Sequence, residues 1–104
     1  MPKGYIVADL HVTATGEDIR RYRDAVPATI AQYGGRFLAR GGEPKQLEGT
    51  PTPGAEDARR LVIVEFPSVA QAMVWYNSPE YQAILPLRLK TMTGPVIIGA
   101  GYEA

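Results

Sequence analysis

The sequence of 104 residues contains no cysteine, one histidine, one tryptophan and two phenylalanines, and its eleven basic residues are matched by eleven acidic ones. The lack of cysteine excludes disulfides, thiolate nucleophiles and cysteine metal sites, and fits any redox compartment. A formal net charge of +0 leaves no whole-chain field to draw the protein to nucleic acid or an anionic membrane, and no basic helix has recognition character. Neither nucleic acid nor membrane is an expected partner. Nowhere do eighteen apolar residues run together, and the opening "MPKGYIVADLHV" lacks an apolar stretch of signal length. A soluble, cytoplasmic protein is the expectation. The length suits one domain spanning 1–104, a size at which a partner subunit is a common source of extra buried surface.

What is present is patterned. Gly4 to Val12 alternates, with Ile6, Ala8, Leu10 and Val12 on one side and Tyr5, Val7, Asp9 and His11 on the other. The period then lengthens: Ile19, Tyr22, Val26, Ile30 and Tyr33 fall at steps of three and four, the stripe of a helix that covers a sheet. Thr15 and Asp18 resemble a capping pair at its start, Pro27 predicts a kink or a break, and Gly34 can take the left-handed conformation that ends it. "RFLARG" reads as a second strand and "RLVIVEF" as a third. Between them, the stretch from Gly42 to Ala58 has no sustained period and reads as a long loop, exposed around "TPTPGAED", whose "KQLEG" portion is expected to fold back as a lid or edge element. Ser68 with Gln71 forms a capping box, and Val69, Ala72, Met73 and Tyr76 are the expected buried side of a second helix. Ser78 and Pro79 close that helix and open another, which Pro86 shortens or kinks, and "GPVIIGAGY" supplies a fourth strand.

Strand, helix, strand, strand, helix, strand is the split βαβ order: an α+β fold in which an antiparallel four-stranded sheet carries its helices on one face. Strand phase assigns Ile6, Ala8, Leu10, Phe37, Ala39, Val62, Val64 and Phe66 to the helices. Asp9, His11, Arg36, Arg40, Leu61, Ile63 and Glu65 then share the uncovered face, too apolar for solvent and too charged for a dry core. Two such faces packed together predict a homodimer.

The strings "YGGRFLARGG", "VIVEFPS" and "WYNSPEYQ", with Arg88 following and "LEG" at Leu47 to Gly49, resemble the family known as domain of unknown function 1330 over nearly the whole chain. The resemblance implies a ferredoxin-like fold that forms a dimeric α/β barrel, similar to antibiotic-biosynthesis monooxygenases, muconolactone isomerase and chlorite-dismutase-like proteins. It names no reaction, since that superfamily spans cofactor-free enzymes, haem enzymes and binding proteins. A haem role would need an axial histidine on the cavity-side helix, and this chain has none there.

Two readings accompany each candidate residue. Arg40 and Glu65, on neighbouring strands, form either a structural cross-strand pair or a catalytic pair in which Arg40 grips a carboxylate or enolate and Glu65 acts as base or hydrogen-bond acceptor. His11 is either a strand-end histidine, solvated or bonded at the subunit interface, or a third catalytic group serving as acid or base; alone it cannot make a protein metal site of usual ligand count, although a carboxylate or two and waters could complete one, and the expectation is of no metal and no cofactor. Trp75, Tyr76, Tyr22 and Tyr81 are core aromatics or a substrate wall. Adjacent Trp75 and Tyr76 cannot both enter one core face. Asn77 caps a helix or meets a substrate oxygen. Arg88 pairs with Glu80 or closes over a pocket. Gly41 and Gly42 lack a following helix and a Walker lysine, so they form no P-loop. The leading expectation is a small aromatic or carboxylated molecule bound between sheet and helices, with cofactor-free isomerase or oxygenase chemistry as its possible use. The alternative is a non-catalytic interaction protein whose polar face serves only dimerisation.

Overall fold

A computed structural model describes residues 1–42, 44–50 and 58–103. Along the chain they form β1 (Gly4–Val12), α1 (Glu17–Gln32), β2 (Arg36–Gly41), β3 (Arg59–Phe66), α2 (Val69–Tyr76), α3 (Pro79–Thr91), β4 (Met92–Thr93) and β5 (Val96–Ala100). All pairings are antiparallel. β1 is central, with β3 on one side and β2 beyond it, and with β4 and β5 end to end on the other side. The expected fourth strand is therefore two segments on one edge. The interruption is at Gly94, whose φ of 127° and approach to the Asp9 carbonyl exclude a side chain, while the Asp9 N–H donates to the Pro95 carbonyl.

The alternation of β1 and β3 sorts the faces as expected. Ile6, Ala8, Leu10, Val64 and Phe66 are buried beneath the helices, and Ile19, Val26 and Ile30 of α1 cover them. β2 breaks the pattern. Phe37 pairs with Val64 but Ala39 pairs with Ile63, so Leu38 is an extra residue opposite no partner. A one-residue slip in a period of two exchanges the faces. Arg40 thus lies opposite Val62 on the helix side, and Ala39 opposite Ile63 on the uncovered side, the reverse of the expectation for both.

Local chemistry sets the helix boundaries. α1 begins one residue after Gly16 with no side-chain cap, so the Thr15–Asp18 cap is not formed. It runs unbroken through Pro27 and ends on a Schellman motif, in which Gly34 N–H donates to Ala31 O and Gly35 N–H to Ile30 O, with Gly34 at φ 83°. Ser68 Oγ accepts from Gln71 N–H at 3.1 Å, but the Gln71 amide donates to Tyr33 O instead of closing the box. Ser78 is buried at the corner between α2 and α3: its Oγ donates to Trp75 O at 2.7 Å and accepts from Tyr81 N–H at 3.1 Å. α3 continues through Pro86 to Thr91. In α2 the buried residues are Ala72 and Trp75, and Met73, expected inside, is 40% exposed.

Residues 44–50 form no strand. Their tie to the sheet is Gln46, whose Oε1 accepts from Arg59 at 2.8 Å, and Leu47 is exposed. The sequence 51–57, expected to be the exposed part of the long loop, lies outside the described residues, as do 43 and 104. No helix among the described residues is long and apolar enough to cross a membrane.

Candidate ligand-binding site

A cavity of about 350 Å³ lies between the helix side of the sheet and the helices α1 and α3. Its floor is apolar: Ile6, Ala8 and Leu10 of β1, Val62 and Val64 of β3, and Val96 of β5. Ala8, central on the central strand, leaves room that a larger side chain would fill. Trp75 and Tyr81 form a wall, with ring centroids 4.2 Å apart, and the Trp75 N–H donates to Thr29 Oγ1 at 3.0 Å. With its polar edge used, Trp75 offers the cavity only ring surface.

The polar lining is one-sided. It consists of Tyr22, Tyr81 and four arginines, Arg23, Arg40, Arg60 and Arg88, and no carboxylate or histidine among the described residues lines it. Arg88, from α3, is 7% exposed, and its Nε is buried without a hydrogen-bond partner. Nor does it form an ion pair with any described residue. Glu80, the partner expected for it in one of the two readings, accepts instead from the Tyr33 hydroxyl, which lowers the Glu80 pKa. An unpaired guanidinium at this depth is costly in the ligand-free protein and a ready partner for an anion.

The Tyr22 and Tyr81 hydroxyls are 3.0 Å apart. One proton is used between them, leaving the other free to donate into the cavity. Burial, then the neighbouring Tyr81, raises the Tyr22 phenol above its ordinary value, while Arg88 and Arg40 act in the opposite sense. Tyr22 is a neutral donor at physiological pH.

Arg40, brought to this side by the bulge at Leu38, donates from Nη2 to Arg23 O at 2.8 Å and lies 4.7 Å from the Phe37 ring centroid. Its expected pairing with Glu65 does not exist. Glu65 remains on the opposite face of the sheet, where Arg36 Nε and the Tyr5 hydroxyl each donate to it at 3.0 Å. Those two bonds, Arg36 first, lower the Glu65 pKa, which suits an acceptor held as carboxylate rather than a base of raised affinity for protons.

The structure therefore brings together Arg40, Trp75, Tyr22, Tyr81 and Arg88, and separates Glu65, His11, Tyr76 and Asn77 from them. His11 stands on the uncovered face with a buried, unpartnered Nδ1, beside Asp9, which Arg59 grips through two bonds of 2.8 and 2.7 Å. Tyr76 is half-buried and packs edge-on to Trp75 and against Tyr81 outside the cavity lining. Asn77 is exposed and caps α2 through its backbone N–H to Met73 O. Of the adjacent aromatics, Trp75 alone reaches the cavity. Arg60 and Arg23 were not singled out by sequence reasoning, although Arg60 shares the strand phase of Val62 and Val64, and Arg23 is one helical turn from Ile19.

The profile of the family described as "Domain of unknown function (DUF1330)" matches residues 3–102. No curated protein matches the sequence. Among solved structures, the chain is similar to a protein of unknown function from Rhodopseudomonas palustris, with a TM-score of 0.73 and 15% identity over 99% of this chain and 85% of that one. It is also similar to SnoaB, a cofactor-independent oxygenase from Streptomyces nogalater, with a TM-score of 0.70 and 10% identity over 100% and 97%. A third, a dimeric ferredoxin-like protein of unknown function from Thermobifida fusca, has a TM-score of 0.59 and 11% identity over 95% and 91%. At these identities the likeness is one of fold.

Proposed function

The chain belongs to the DUF1330 family, a domain of unknown function, and from that premise we propose that it binds a planar, largely apolar organic anion, an aromatic carboxylate or enolate, in the cavity beneath α1 and α3. The observation that carries the reading is Arg88, a buried guanidinium with an unpartnered Nε in an apolar cavity whose described lining holds no acid. The Tyr22–Tyr81 pair supplies a neutral donor beside it, and the Trp75 face supplies a wall for a ring. If the bound molecule reacts, the same groups stabilise negative charge as it develops, as an isomerase or oxygenase acting through an enolate requires. The described lining offers donors and cations but no base, so the substrate of such a reaction enters already ionised. SnoaB, a cofactor-independent oxygenase, gives a precedent for chemistry of that kind on this fold.

Homodimerisation through the uncovered sheet face belongs to the same reading. That face carries Val7, Leu61 and Ile63, with Ile97 63% exposed, and its charges are already paired within the subunit as Asp9–Arg59 and Glu65–Arg36. Such a face loses little on being covered. The cavity lies on the other side of the sheet, so dimer contacts and ligand binding do not compete.

Calorimetric titration of the purified protein with 2-naphthoate and with its neutral isostere 2-naphthamide tests the proposal. The acid is expected to bind about tenfold or more tighter, the value of a charge-assisted hydrogen bond, and Arg88→Met to erase the preference. Equal affinity for acid and amide in the wild type would sink the proposal.

A further inference from the structure

We propose that Pro27 is a positioning residue for ligand selection: by withdrawing the helical donor from the Arg23 carbonyl, it lets that carbonyl hold Arg40 at the cavity mouth, where the guanidinium meets a second acidic group on the outer end of the ligand. The inference rests on the reading of the cavity as an anion site and specifies its ligand class as aromatic diacids.

In an α-helix the carbonyl of residue i accepts from the N–H of residue i+4, and for Arg23 that residue is Pro27, which has no N–H. The helix nevertheless continues on both sides. Arg23 O is thus an acceptor left over inside a regular helix, on the turn that borders the cavity, open to water or to a side-chain donor. The donor it finds is Arg40 Nη2, at 2.8 Å. A second restraint, the Phe37 ring 4.7 Å from the guanidinium carbon, comes from the same strand. Together they hold an exposed side chain that would otherwise sweep through solvent.

One hydrogen bond to a described residue occupies Arg40, so most of its five donors remain available to a carboxylate. The two cations stand at different depths, Arg88 buried and Arg40 exposed, and both act on the Tyr22 hydroxyl. A rigid aromatic with one acid group meets Arg88 alone; one with acid groups at both ends spans from Arg88 to Arg40.

The test compares 2,6-naphthalenedicarboxylate with 2-naphthoate in the wild type, Pro27→Ala, Arg40→Met and the double variant. Alanine at 27 restores the missing donor without disturbing the helix. The wild type is expected to bind the diacid about tenfold tighter than the monoacid. Pro27→Ala should bring that ratio close to one with little change for the monoacid, Arg40→Met should do the same, and the double variant should match Arg40→Met. A readout without ligand accompanies it: the Arg40 Nε–H NMR signal, restricted in the wild type, should show the fast motion of a free side chain in Pro27→Ala. A diacid preference that survives Pro27→Ala, or an Arg40 signal equally restricted in both proteins, overturns this inference alone. Binding of neither acid to the wild type overturns the specificity claim together with the cavity reading.

Discussion

Replacing Arg88 with methionine should make the ligand-free protein more stable, a direction opposite to that of most core substitutions. Methionine keeps the volume and flexibility of the arginine stem, so the space that stem fills in the cavity lining is retained and the apolar transfer is nearly unchanged. What is removed is a buried Nε–H without a partner and the charge attached to it. Relief of one unsatisfied buried donor is worth about 1–3 kcal/mol, and replacement of buried ionic groups by apolar ones is stabilising by about 1–4 kcal/mol where it has any effect. A gain of about 1–3 kcal/mol corresponds to a rise in Tm of roughly 4–20 °C for a chain of this size. Urea denaturation and thermal melting, at one fixed protein concentration because an oligomer's stability depends on it, measure the difference. Loss of acid binding with gain of stability marks a residue kept for function. If Arg88→Met instead lowers the urea midpoint, Arg88 is a satisfied structural group and the argument from its isolation fails.

Arg40→Ala and Glu65→Ala should have additive effects on the urea midpoint, with no measurable coupling, because the sheet separates them; Arg36→Ala and Glu65→Ala should not be additive. The Asp9 pKa is lowered chiefly by its hydrogen bonds to Arg59, so the stability it contributes is complete above the unfolded value of about 3.9 and is lost as pH falls through the depressed folded value. Glu65, held down by Arg36 and then Tyr5, and Glu80, held down mainly by Tyr33, act in the same sense. The urea midpoint should therefore drop below about pH 4, and less steeply in Asp9→Asn. Sedimentation at low micromolar concentration should give twice the chain mass, and Ile63→Glu, on the uncovered face, should give the single-chain mass with acid binding retained; a wild-type monomer would refute the packing of two sheets.

Where local chemistry decides structure, the amino-acid order was readable. The alternation of β1 and β3 placed their buried residues, and the hydroxyls of Ser68 and Ser78 marked two helix starts because each satisfies a backbone N–H that the first turn leaves open. The α2 stripe was misread because eight residues accommodate two stripes equally well, one through Met73 and one through Trp75, and only the position of α3 and Phe66 selects between them. The face of Arg40 was misread because the bulge at Leu38 carries no glycine or proline to announce it, and one unannounced residue inverts everything after it. The depth of Arg88 had a signal: Tyr81, Ile84, Arg88 and Thr91 fall at steps of four and three, and the arginine is on the inward stripe. Burial of a cation runs against composition, so the periodicity alone left its two roles open.

The bulge also governs how such a chain can change over time. Deleting Leu38 would leave a regular ladder in which Ala39 still faces Ile63 and Arg40 still faces Val62, so Arg40 stays in the cavity; drawing Leu38 into the ladder, with no change of length, would carry Arg40 through the sheet to the outer side and Ala39 to the inner one. A substitution at 40 alters which group is present; whether Leu38 is bulged or paired alters which compartment of the protein the same group serves. Within this strand, the smallest step between a cation for a ligand and a cation for a neighbouring subunit is a one-residue shift of pairing, with no new functional group required.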